Sequence, residues 1–68
     1  MRTAIAIDDW KLAIFEQHLT QAGYKYKQSK GPVKNTTFLI VENESKAALE
    51  VVVRAANEDA AFQKETLQ

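Results

Sequence analysis

A chain of 68 residues has room for one small domain and no second one. With 46% apolar and 26% charged residues it has the composition of a folded domain, while the lack of cysteine and the single histidine exclude a disulfide framework and a zinc cluster. Nine basic residues balance nine acidic ones, which excludes a whole-chain field for nucleic acid or membrane.

Residues 2–7 alternate, with Ile5 and Ile7 on one side and the small Ala4 and Ala6 on the other, which predicts a short strand. Asp8 and Asp9 end it and stand where a helix N-cap is expected, at the positive end of the dipole. A helix follows over residues 10–22, with Leu12, Phe15, Leu19 and Ala22 as its apolar stripe and Trp10, Ile14 and His18 as a flanking row. Gly23 supplies the left-handed stop.

Tyr24 to Gln28 alternates again, which predicts a strand with Tyr24, Tyr26 and Gln28 toward the core and Lys25 and Lys27 in water. Ser29 to Asn35 reads as a loop around Gly31-Pro32. Thr36 to Glu42 is the strongest strand; its consecutive apolar residues suit a central position. Asn43 or Ser45 can cap a last helix whose buried face is Leu49, Val52, Val53, Ala56 and Ala60 and whose outer face is Lys46, Glu50, Arg54 and Glu58. Val51-Val52-Val53 competes for a strand, but the long alanine-rich, charge-alternating surroundings favour helix. The domain is expected to cover residues 1–62, with 63–68 as a frayed tail.

The order strand, helix, strand, strand, helix has a strong topological consequence. A right-handed crossover between the first two strands leaves a slot that the third fills antiparallel, giving a three-stranded sheet of order 2-3-1 with both helices on one face. This is an α+β, ferredoxin-like split β-α-β arrangement without its fourth strand. The first strand is then an uncovered edge, and Thr3, Ala4, Ile5, Ala6 and Ile7 form a candidate dimer edge. The bare sheet face is expected to show Ala4, Ala6, Leu39, Val41 and the stems of Lys25 and Lys27 as an alternative dimer surface.

The segments Ala4-Ile5-Ala6-Ile7-Asp8-Asp9-Trp10-Lys11, Phe15-Glu16-Gln17-His18-Leu19, Ala22-Gly23-Tyr24 and Val52-Val53-Arg54-Ala55-Ala56-Asn57-Glu58 together resemble small uncharacterised proteins of bacterial and phage genomes. That resemblance covers most of the chain and implies a bacterial or phage origin. It transfers no activity and no site.

Charge is unevenly spread: residues 1–23 sum to −1, 24–41 to +4 and 42–68 to −3. The basic share is Lys25, Lys27, Lys30 and Lys34, with Tyr24 and Tyr26 interleaved. Lysines in this pattern can meet phosphates or an acidic protein surface, and exposed tyrosines can stack bases. With the tyrosines directed inward, the plainer reading is a solvated edge strand that its charge protects from aggregation. Nucleic acid is therefore a partner of second rank, behind self-association and an unknown protein.

No catalytic, cofactor-binding or metal site is expected. Asp8 and Asp9 stand about 15 Å along a helix from His18, too far for one coordination sphere. Trp10 and His18 share one helix side and form a candidate small pocket, although a tryptophan closing the open end of a small core explains Trp10 as well. Gly31-Pro32 lacks the glycine spacing of a phosphate loop. The apolar opening ends at Asp8, too soon for a signal peptide, and Val51–Val53 is far below membrane length, so a cytoplasmic protein is expected. The sequons Asn35-Thr36-Thr37 and Asn43-Glu44-Ser45 are read as turn and cap residues.

Overall fold

The third strand organises the molecule. In the computed structural model, which describes residues 1–67, β1 (Arg2–Asp8) and β2 (Tyr26–Lys30) both pair antiparallel with β3 (Thr36–Glu42). The sheet order β1-β3-β2 is the expected 2-3-1 order seen from the other edge. A short 3₁₀ turn, Asp9–Lys11, leads into α1 (Leu12–Gln21), and α2 (Lys46–Leu67) follows β3. The fold is α+β.

The core joins Ile7, Leu39 and Val41 of the sheet to Phe15 and Leu19 of α1 and to Leu49 and Ala56 of α2. The expected inner face of α2 is the observed one: Leu49, Ala56 and Ala60 are buried and Val52 and Val53 are half-buried. Helix prevails at the three valines because that register buries Val52 and Val53, which outweighs the small β-branched penalty. Helix α2 continues through Leu67, so most of the expected frayed tail is its final turns; Gln68 lies outside the described residues.

Leu39 and Val41 require a correction. Both are 0% exposed and face the helices. The register places Leu39 opposite Ile5 and Val41 opposite Thr3, on the helix-facing side. Their neighbours Phe38 and Ile40 therefore take the open face, opposite Ala6 and Ala4. Ser29 and Lys30 also move from loop to strand, because pairing with Phe38 and Thr37 extends β2 beyond its own alternating pattern.

The ends of α1 show which local signals acted. Gly23 (φ +84°) closes the helix, with its N–H on Thr20 O at 3.0 Å and the Tyr24 N–H on Leu19 O at 2.9 Å. This paired closure satisfies two carbonyls that the helix leaves open. The expected aspartate cap is absent: Asp8 makes no side-chain cap bond, and Asp9 Oδ1 accepts from Thr37 Oγ1 at 2.7 Å. At α2 the cap is Ser45, whose Oγ accepts from the Ala48 N–H at 3.2 Å.

Asn43 has a different role from capping. Its side chain is only 5% exposed. Its amide nitrogen faces Thr3 Oγ1 at 2.9 Å, Val41 O at 3.1 Å and Met1 O at 3.3 Å. Oxygens surround that group, so the donor end belongs there. One buried amide thus ties the start of β1 to the end of β3.

Candidate functional site

β1 pairs on one side only. Met1 O accepts from the Asn43 N–H at 2.9 Å, and the Asp9 N–H donates to Asn35 O at 2.9 Å. Both pairs continue the β1–β3 register, so odd-numbered residues turn their backbone polar groups toward β3. Arg2, Ala4, Ala6 and Asp8 therefore turn theirs toward the free edge. Of the expected edge residues Thr3, Ala4, Ile5, Ala6 and Ile7, only Ala4 and Ala6 direct both side chain and backbone away from the core. Ile5 packs against the core, Ile7 is buried, and Thr3 meets Asn43.

The same four residues line the margin of the open sheet face. Across it run three rows: Arg2, Glu42 and Lys25; Ala4, Ile40 and Lys27; Ala6, Phe38 and Ser29. An apolar centre of Ala4, Ala6, Phe38 and Ile40 is bordered by charge. Arg2, Lys25, Tyr26, Lys27, Ile40 and Glu42 surround a shallow depression of about 350 Å³ at one end of this face. Phe38 and Ile40 were missed by sequence reasoning because an unbroken apolar run carries no period-two signal. The alanines of β1, once paired with β3, provide the signal that locates them.

The basic stretch is divided between surfaces. Lys25 and Lys27 border the open face, Lys30 has the opposite parity at the hairpin end, and Lys34 lies in the loop after it. Tyr24 and Tyr26 are half-buried and pack against the core, with Tyr26 also reaching the depression beside Lys25 and Lys27. Gln28 also turns to the helix side, where its Nε2 donates to Glu16 Oε2 at 2.6 Å.

Trp10 and His18, the candidate pocket residues, make separate contacts. His18 Nε2 lies 2.9 Å from Asp59 Oδ2 and links α1 to α2. Trp10 is 49% exposed and does not close the core; Lys11 Nζ and Lys64 Nζ stand 5.2 and 5.4 Å from its ring centre. Those ammonium groups are within cation–π range. Among the described residues no three His, Asp or Glu side chains are grouped to hold a metal ion, and no helix is long and apolar enough to cross a membrane.

The His18 bond makes acid stability testable. It lowers the Asp59 carboxyl below its ordinary value of 3.8; the Gln63 side chain helps, burial opposes, and the His18 charge adds to the lowering. Asp59 keeps 35% of its side chain in water, so the effect is screened. The unfolded chain binds this proton more readily than the folded one. The contribution is therefore present above about pH 4 and lost as pH falls through the folded-state value below it. Urea midpoints measured from pH 5 down to about pH 2 should fall less steeply in Asp59→Asn than in the parent.

The fold and its surfaces define a small α+β module with one uncovered sheet face and two sheet edges, of which the β2 edge carries Lys27 and Lys30 and the β1 edge has no charge between Thr3 and Ile7. Comparison of the chain with protein-family models, curated proteins and solved structures returns no match.

Proposed function

We propose that the chain is a protein-interaction or regulatory module that works as a homodimer, binding rather than transforming its partners. The observation that carries this reading is the continuous surface made by the free β1 edge and the open face with Ala4, Ala6, Phe38 and Ile40 at its centre. Apolar side chains in water and unpaired backbone groups both gain by association. A domain of this size also buries a modest fraction of its own surface, so a second copy adds stability that the monomer lacks. The cysteine-free sequence suits a reducing, cytoplasmic setting, and the sequence resemblance favours a bacterial or phage one.

Equilibrium sedimentation tests the reading. A dimer is expected at micromolar concentrations, and Phe38→Ser with Ile40→Ser should remove capture of a heterologous partner on the open face. A parent chain that stays monomeric at high micromolar concentration would remove the homodimer.

A second reading, nucleic-acid contact, draws support from Phe38. It is a half-buried aromatic on the open face of the central strand, one row from Lys27. Single-stranded nucleic acid uses such a stacking platform beside lysines. Binding of a labelled oligonucleotide at low salt, lost on Lys25→Glu with Lys27→Glu, would favour it. No binding at low salt leaves the interaction module alone.

A further inference from the structure

We infer that the homodimer is a continuous six-stranded sheet formed by β1 against β1 of a second copy, antiparallel, with Ile5 on the two-fold axis and Arg2 of each copy opposite Asp8 of the other. This rests on the self-association proposed above and specifies its geometry. The axis stands perpendicular to the sheet, so the helices of both copies lie on one face and the two open faces become one.

Separate observations meet at this register. The backbone groups of Arg2, Ala4, Ala6 and Asp8 face the free edge, and centring on Ile5 pairs them only with one another: Arg2 with Asp8 and Ala4 with Ala6. The whole of β1, Arg2–Asp8, then overlaps, whereas a shift of two residues in either direction leaves strand ends unpaired. Charge selects the same alignment. Arg2 and Asp8 lie at opposite ends of β1 on its open face, both exposed. Among the described residues neither makes a side-chain ion pair within its own chain, and opposite charges directly across a strand pair stabilise it while like charges oppose it. Centring on Ala4 would set Arg2 against Ala6, and centring on Ala6 would set Asp8 against Ala4, with the other charge beyond the paired strand in each case.

Packing agrees on the helix side. A cleft of about 120 Å³ runs under the β1 edge, lined in part by Ile5, Ile7, Phe15 and Val53. In the proposed register Ile5 meets Ile5 and Thr3 meets Ile7 of the other copy at that cleft, extending each core across the seam.

Charge reversal tests the alignment. Arg2→Glu leaves two acidic residues at the strand ends and Asp8→Lys leaves two basic ones, so each variant alone should dimerise roughly 10- to 100-fold more weakly than the parent. Mixed in equal amounts they should form a heterodimer of near-parental affinity, because both cross-strand pairs are again opposite in sign. Both positions are exposed and Asp8 makes no cap bond, so the monomer fold should survive; circular dichroism of each variant checks this.

A second readout is independent of charge. The chain has no cysteine, so a single introduced thiol can form a disulfide only between copies. Ile5→Cys would face itself at a non-hydrogen-bonded position about 4.5 Å apart between Cα atoms, within disulfide reach. Under mild oxidation it should cross-link faster than Ala4→Cys or Ala6→Cys. Two results would overturn the register while leaving self-association intact: single charge variants that dimerise like the parent, or preferred cross-linking at position 4 or 6. A monomeric parent would defeat both.

Discussion

Leu39→Ala is expected to lower the unfolding free energy by about 3 kcal/mol, within the roughly 2–5 kcal/mol seen for buried leucines. Leu39 is fully buried at the middle of the central strand, in the cluster shared by the sheet and both helices. Truncation removes the transfer free energy of its lost carbons and leaves a cavity. Elements on every side meet there, so the site has little room to collapse. A chain of 68 residues has about 3–10 kcal/mol of total stability, so the change consumes a large part of it. Urea denaturation at fixed protein concentration should show the midpoint falling by roughly 2–3 M at a slope near 1 kcal/mol/M. Ile40→Ala, one residue on but on the open face, should cost the monomer far less. Equal losses at the two positions would contradict the observed strand parity.

Gly31→Ala is the second large effect, at about 2 kcal/mol. A Cβ on Gly31 would lie 2.5 Å from both the carbonyl carbon and oxygen of Thr36 and would also collide with Thr36 Oγ1. The neighbour is backbone at the first residue of β3, so it cannot swing aside like a side-chain tip. The hydroxyl is committed too: Thr36 Oγ1 donates to Val33 O at 2.6 Å and accepts from the Val33 N–H at 3.3 Å, closing the loop. Asn35→Gly provides the contrast. Asn35 holds φ +63°, a conformation that glycine adopts without strain. That substitution should leave the urea midpoint nearly unchanged, while Gly31→Ala lowers it and weakens the β2–β3 hairpin. If both are neutral, the close approach of Gly31 to Thr36 does not persist in solution.

These two positions show how differently the sequence discloses its constraints. Gly31-Pro32 marks a turn for any reader of the chain, but the reason for glycine is a through-space approach five residues away. The inner face of α2 was legible because a helix carries its own period: Leu49, Val52, Val53, Ala56 and Ala60 recur at helical spacing wherever the helix is placed. β3 carries no such mark. Phe38, Leu39, Ile40 and Val41 are all apolar, and pairing with Ile5 and Thr3 decides which two are buried. The candidate surface followed the same division. Ala4 and Ala6 were readable from their alternation with Ile5 and Ile7, whereas Phe38 and Ile40 joined them only through register. His18 and Asp59, 41 positions apart, carry no local sign of their bond.

By itself the sequence determined the strand and helix order, the stop at Gly23 and the inner face of α2. Each follows from interactions within one turn or from a period that survives any placement of the element. Only the tertiary structure decided the parity of β3, the extension of β2 through Lys30, the division of the lysines between surfaces, and the backbone groups that β1 leaves facing outward. Those features depend on which strand lies beside which, and in what register. Hydrogen bonds across the sheet fix that choice, and they join residues that no local pattern connects.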